Sequence, residues 1–490
     1  MPWPKYPVIY EINTWVWLQE LTRRFQFQVT LETVPAEEWD RLGALGVDAV
    51  WLMGVWERSP EGTLIARQLP GLLAEYQKAL PDFTLQDIVG SPYCIRQYYV
   101  DSRLGGTTGL AVAREKLAQH GLLLLLDFVP NHVALDHPWV LQHPEYFIQG
   151  SHDDLRASSS EFFEAGGQVI ACGRDPHFPP WTDTAQLNAF STGLRQAASA
   201  TLRSIAGQCD GVRCDMAMLL INRIFEGTWK ERAGKCPTTE YWHEVILAVR
   251  RQFPDFLFIA EAYWDLEWDL QQQGFDYCYD KRLYDRLVHD TADNVRLHLL
   301  AAPDYQGRLL RFIENHDEPR AAAAFVGAQS RAAALIIGTL PGARLFHEGQ
   351  LEGRRTQLPV QLGRRPIEPE DKELHAFYFR LFKLIHGTVF HDGEWQLCER
   401  GGWPDNQSYL NLVPWCWKYL EERFLIVANL SASSVQGRVR LPWPELSGRS
   451  WHLIDLFSGE VYLRNGNELH NPGLYAGLGP WGFHFLRFEG

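Results

Sequence analysis

Short apolar runs that end in polar or charged residues recur along the first three quarters of the chain. Eight stand out, at residues 6–13, 47–53, 122–127, 211–215, 257–261, 275–279, 309–315 and 343–348. Unbroken runs such as Leu122-Leu123-Leu124-Leu125-Leu126 suit strands buried on both faces, as a parallel sheet requires. Segments with helical spacing at 37–45, 109–119, 192–205 and 241–251 fall between several of them, so the alternation is strand then helix. Eight such strands predict an α/β fold, a closed (β/α)8 TIM barrel.

Two connections are too long for simple barrel loops. Residues 57–100, after the second strand, read as an elaborated loop over the barrel face. Residues 132–191, after the third, hold Gly, Pro and aromatic residues and read as an inserted subdomain. After about residue 391 the pattern becomes short alternating strands separated by turn residues, at 424–429, 435–441, 451–456, 461–463 and 482–488, which predicts an antiparallel β-sandwich. The expected organisation is therefore 1–131 and 192–390 for the barrel, 132–191 for the insertion and 391–490 for the sandwich, packed directly on the barrel.

Composition narrows the function. Of 490 residues 46% are hydrophobic and 22% charged, which fits a globular chain and excludes coiled coil, collagen and disorder. The formal net charge of −14 argues against a nucleic-acid scaffold or an anionic membrane surface as partner. No apolar run approaches the ~20 residues of a spanning helix, and the N-terminus lacks the basic-then-apolar pattern of a secretory signal. The 8 cysteines show neither C-x-x-C pairs nor zinc spacing, so isolated thiols in a reducing cytoplasm are expected. The 19 Trp, 18 Tyr and 26 Phe supply flat apolar rings suited to sugar faces as well as to a core.

In barrels of this kind catalytic groups lie at the C-terminal ends of the strands. The third strand ends Asp127-Phe-Val-Pro-Asn131-His132, the fourth carries Arg213-Cys-Asp215, the fifth ends in Glu261, and the seventh ends Glu314-Asn-His316-Asp317. Arg213 and Asp215 are two apart and point the same way, so the guanidinium is expected to lower the Asp215 pKa. Glu261, sharing the site with Asp215 and Asp317, is expected to be pushed toward its protonated form. Such opposed shifts divide carboxyls into nucleophile and acid.

These segments resemble the α-amylase superfamily, glycoside hydrolase family 13. The resemblance rests on Asp127-Phe-Val-Pro-Asn-His132, Gly211-Val-Arg-Cys-Asp215, Phe258-Ile-Ala-Glu261 and Phe312-Ile-Glu-Asn-His-Asp317, four motifs in order on successive strands, with weaker matches at 46–52, 186–188 and 346–349. It implies a retaining mechanism on α-1,4-linked gluco-oligosaccharides or α-glucan, with Asp215 as nucleophile, Glu261 as acid/base and Asp317 holding the distorted sugar. It further implies that Arg213 orients Asp215, that His132 and His316 bind glucosyl hydroxyls, and that Tyr93 stacks on the ring. Transglycosylation and phosphate-using glucosyl transfer remain alternatives on the same site. A catalytically silent sugar-binding protein is a third reading, disfavoured by the intact trio.

Departures from the family matter too. Met218-Leu219 stand where many members have Lys-His, which removes an acceptor-binding lysine and a calcium-ligating histidine; a structural calcium is therefore doubtful, and no cofactor or catalytic metal is expected. Gly90 and Gln97 stand where relatives often place Asp. Arg354, Arg355, Arg364 and Arg365 form a basic cluster after the eighth strand, a candidate phosphate site unless nearby acids pair with them. Trp139, Trp181, Trp264 and Trp268 are candidate sugar platforms. Chain-length preference and oligomeric state are left open by the sequence.

Overall fold

The leucines of residues 122–126 have no polar face to turn to water, and the structure buries every one of them. It is a computed structural model and describes residues 2–490. Eight parallel strands close into a barrel: β1 (Val8–Asn13), β2 (Ala49–Met53), β3 (Leu123–Phe128), β4 (Gly211–Cys214), β5 (Leu257–Ala260), β6 (Tyr277–Tyr279), β7 (Leu309–Arg311) and β8 (Ala343–His347). Each strand pairs with its sequence neighbours, and β8 returns to β1. All eight are the strands expected from the sequence, some shorter by a few residues.

The largest difference is at β7, where the predicted strand ran on to Asn315. The sheet stops at Arg311, and the Asn315 side chain then accepts the backbone N–H groups of Asp317 and Glu318 at 2.9 Å each. That turn lifts His316 and Asp317 out of the strand and sets them at the barrel mouth.

The connection after β2 holds a two-stranded sheet, Trp56–Arg58 with Ile95–Val100, and two helices, Pro60–Ala66 and Pro70–Ala79. The segment after β8 lies beside it. Val89 N–H donates to Gln361 O at 2.9 Å and Gly363 N–H to Asp87 O at 2.8 Å, tying the two together. Between β3 and the helix Thr192–Ala206 stands a four-stranded antiparallel sheet in the order His132–Ala134, Trp181–Gln186, Gln168–Gly173, Phe162–Ala165.

The C-terminal region is antiparallel, with a six-stranded and a three-stranded sheet. Alternation along Glu422–Asn429 divides its burial: Phe424, Ile426 and Ala428 join the barrel's core, whereas Leu425 and Val427 fill the interior of the sandwich. The neighbouring strand Leu412–Tyr419 does the same with Val413, Trp415 and Trp417 toward the barrel. Trp417 Nε1 donates to Thr339 O at 2.7 Å, which satisfies the indole as it is buried. That strand, together with Glu394–Leu397, Glu399–Gly401 and Leu474–Leu478, went unpredicted. Pro414 in its middle argues against a central strand; its carbonyl nevertheless accepts the Cys398 N–H at 3.0 Å, so the edge keeps a ladder bond on the acceptor side. No helix among the described residues is long and apolar enough to cross a membrane.

Candidate active site

Arg213 on β4 is the hub of the mouth. Its side chain is almost fully buried, and its guanidinium reaches three carboxylates: Nη1 lies 2.7 Å from Asp215 Oδ1, and Nη2 lies 2.8 Å from Glu261 Oε2 and 3.9 Å from Asp317 Oδ2. A buried cation is tolerable only when paired, and removing its partners from such a group costs roughly 3–5 kcal/mol. The rings of Trp51, Tyr93 and Tyr279 stand 5.6, 5.1 and 5.7 Å from the same carbon of the guanidinium, an aromatic cage that adds cation–π attraction.

The strands dictate this convergence. Asp215 is the first residue beyond β4 and Glu261 the first beyond β5, so two adjacent parallel strands deliver their carboxyls side by side. Met216, directly after Asp215, adopts a left-handed backbone with φ of 43°, rare for a side chain of its shape. The strain is local to the site: it aims the Met216 N–H at Glu261 Oε2, 2.5 Å away. Tyr263 O–H donates to the other oxygen, Oε1, at 2.9 Å.

Burial, opposed by Arg213 and reinforced by the charges of Asp215 and Asp317, pushes the Glu261 carboxyl up to about 7. Asp215 departs from expectation. Burial raises its pKa above the ordinary carboxylate range, and the Arg213 ion pair only partly opposes it. The sequence showed the guanidinium but not the depth at which the pair would sit. Asp317 goes the other way: burial would raise it, but His316 and Arg213 outweigh that and hold it below the usual range. The three carboxyls are thus spread, with Glu261 the readiest to carry a proton at neutral pH.

His316 is fixed at both nitrogens. Nδ1 bonds the Glu11 carboxylate on β1, while Nε2 lies 2.9 Å from Asp317 Oδ2 and 2.6 Å from Tyr93 Oη. Burial alone would lower its pKa, yet Asp317 and Glu11 hold it well above the usual value, so the ring is an imidazolium. Tyr93 stacks on that ring with centroids 5.3 Å apart. Tyr93, His316 and Arg213 therefore lie beside the three carboxylates. His132 stands apart. It is buried, packs 4.9 Å from the Trp181 ring and is pushed down to about 4 by burial, hence neutral, and it makes no hydrogen bond to the trio among the described residues.

Four polar participants went unforeseen: Glu11, Met216 through its N–H, Tyr263 through its hydroxyl, and Gln357, whose Nε2 donates to Asp317 O at 2.6 Å. Only Glu11 left a legible signal, a carboxylate amid the apolar run Val8-Ile-Tyr-Glu11-Ile-Asn13. A cleft of about 700 Å³ opens beside His316 and Asp317, walled by Leu72, Glu75 and Lys78 of the helix Pro70–Ala79 and by residues 355–361. That volume falls within the range of small-ligand sites.

Arg354 pairs with Glu20, Arg365 with Glu20 and Glu348, and Arg364 with Asp82 and Asp87, so three of the four clustered arginines are committed to carboxylates. Of these acids only Glu348 lies close to the arginines in sequence. Only Arg355 turns to the cleft. Trp264 and Trp268 are exposed, whereas Trp139 and Trp181 are half-buried packing residues. Gly90 has φ of 91°, and a Cβ there would collide with Thr63 Oγ1, so the Asp of relatives has no room at this position. Asn131 O, Asn131 Oδ1 and Leu187 O all accept from Gln186 Nε2 at 2.9–3.0 Å. Met218 and Leu219 are core residues of the turn after β4.

Three carboxylates and one arginine thus meet at the C-terminal mouth of the barrel. No family model matches the chain. It is 26% identical over 364 residues to an α-amylase, MalA, of Haloarcula japonica, covering 72% of this chain and 45% of that protein. The chain spans about half the length of the curated relatives it matches. Among solved structures, a noncanonic maltogenic α-amylase AmyB from Thermotoga neapolitana superposes with a TM-score of 0.70 at 19% identity, covering 99% of each chain. An α-amylase from Geobacillus thermoleovorans complexed with acarbose gives 0.68 at 15% identity, covering 100% of this chain and 99% of that one. The chain shares the fold of these α-amylases.

Proposed function

We propose that the chain is a retaining glycoside hydrolase acting on α-1,4-linked gluco-oligosaccharides. The observation that carries this reading is the single buried Arg213 in contact with Asp215, Glu261 and Asp317. Asp215 attacks the anomeric carbon as the glycosidic bond breaks, and Glu261 gives its proton to the departing oxygen. Glu261, now ionised, takes a proton from the incoming water, whose oxygen displaces Asp215 and restores the α configuration. Asp317, held by His316 and Gln357, bonds the sugar hydroxyls as the ring flattens, and Tyr93 stacks on that ring. The covalent intermediate needs a nucleophile placed by a neighbour that never leaves it, which is the part Arg213 plays. Phosphate as an acceptor gains no support from arginines already paired with carboxylates. Incubation with maltoheptaose tests the reading: shorter products are expected, longer products alone point to transglycosylation, and no change removes it.

Two further outcomes follow from the site. As the acid of the first step, Glu261 must be protonated, so kcat/KM is expected to fall as pH rises through about 7. Tyr263→Phe removes a donor to the ionised carboxylate, which raises the Glu261 pKa further. The alkaline limb of the pH–rate profile should therefore move to higher pH, with a few-fold loss in kcat. An unmoved limb would show that the tyrosine hydrogen bond does not act on the acid.

We also propose that the enzyme works without calcium. Adding calcium to the metal-stripped chain is expected to raise the melting temperature by less than about 1 °C and to leave activity unchanged. A large rise in either would reveal calcium ligands in the sheet of the insertion.

A further inference from the structure

The opposite end of the barrel carries a second cluster with chemistry of its own. Asp48 precedes β2 there, His386 directly follows the long helix Lys372–Ile385, and His391 lies on the short helix Thr388–Asp392 that leads toward the C-terminal sheets. One ligand atom from each of the three lies within 4.8 Å of the others.

The orientation of His391 is the telling feature. Its Nδ1 lies 3.0 Å from the backbone carbonyl of Tyr6, which can only accept, so Nδ1 carries the proton. Nε2 then presents its lone pair toward Asp48 Oδ2, 3.8 Å away, too far for a hydrogen bond and with two electron-rich atoms facing each other. Asp48 Oδ2 is itself held by the Val8 N–H at 2.7 Å. Both groups are thus oriented by backbone partners, as metal-ligating imidazoles and carboxylates usually are. The nearest cation, Arg344, does not fill the gap: its guanidinium is engaged by the carbonyls of Leu340, Tyr6 and Phe390. His386 is exposed and opens the cluster to solvent.

We propose that Asp48, His386 and His391 bind a divalent zinc-type cation at the N-terminal face of the barrel. Two imidazoles and one carboxylate make a nitrogen-rich set that favours zinc over calcium, and water completes the tetrahedron. The ligand atoms, within 4.8 Å of one another, close onto one ion if the exposed His386 side chain rotates inward. The ion would fasten the entrance of β2 to residues 386–391, and so brace the barrel against the segment that carries the chain into the sandwich. It lies at the end of the barrel away from Arg213 and takes no part in bond cleavage.

The test uses zinc chloride on the full chain after stripping with chelator. Zinc retained per chain after dialysis, the melting temperature with and without zinc, and the visible spectrum with cobalt in zinc's place are compared between wild type and His386→Ala. His386 is exposed and outside the catalytic machinery, so the variant is expected to fold and to keep its activity. Wild type should retain one more equivalent of zinc than the variant, with a rise in melting temperature of about 2–3 °C at zinc near 100 times Kd and tetrahedral cobalt bands, both absent in the variant. Asp48→Asn should reproduce the loss. Equal zinc retention and equal melting shifts in wild type and His386→Ala would overturn the proposal, leaving the cluster as a water-bridged imidazole and carboxylate.

Discussion

Replacing Asp215 by Asn is expected to lower turnover of malto-oligosaccharides by at least about 10³-fold while the protein folds normally. The amide keeps the shape of the carboxylate, and its oxygen still accepts from Arg213 Nη1, so the ion-pair hub loses one charge but no atom. What it loses is the electron pair that closes on the anomeric carbon. Arg213 keeps Glu261 at 2.8 Å, and the melting temperature should change by only a few degrees. Steady-state kinetics together with a thermal melt of the same preparation check this. Turnover within tenfold of wild type would take the nucleophile's role away from Asp215.

The second large effect is at Glu261 and depends on the leaving group. Glu261→Ala should slow cleavage of unactivated malto-oligosaccharides by about 10²–10⁴-fold, the usual contribution of a positioned proton donor. Glucosyl fluoride, whose departure needs little protonation, should be affected far less in the glycosylation step. Initial product from wild type, followed by proton NMR, should be the α anomer, because two displacements each invert the carbon. Equal losses on both substrates, or an initial β anomer, would leave Glu261 without the acid's role or make Asp215 a base acting on water.

The barrel was readable because a parallel strand buried on both faces leaves no choice of residue. Leu122–Leu126 and Phe258-Ile-Ala-Glu261 show it, the second ending where the carboxyl must emerge. The strand Leu412–Tyr419 was not readable, because Pro414 breaks the donor pattern and only the finished sheet shows that its carbonyl side is the one used. In the site, Arg213 and the trio were legible as strand-end residues. The sign of the Asp215 shift was not, since burial depth is a property of the packed barrel and outweighs the adjacent guanidinium. Tyr263 and Met216 escaped for a different reason. One acts through a hydroxyl reaching back two residues and the other through a backbone N–H turned by an unusual φ, and neither leaves a mark in spacing.

The joined wall of the cleft bears on how this protein can be re-engineered. Asp87, Val89 and Asp82 on one side and Gln361, Gly363 and Arg364 on the other form one hydrogen-bonded seam between segments more than 270 residues apart. Grafting either segment alone from another barrel would strand a guanidinium without its carboxylates and leave two backbone pairs open. A chimera carrying one foreign segment is therefore expected to melt lower than one in which both segments are exchanged together.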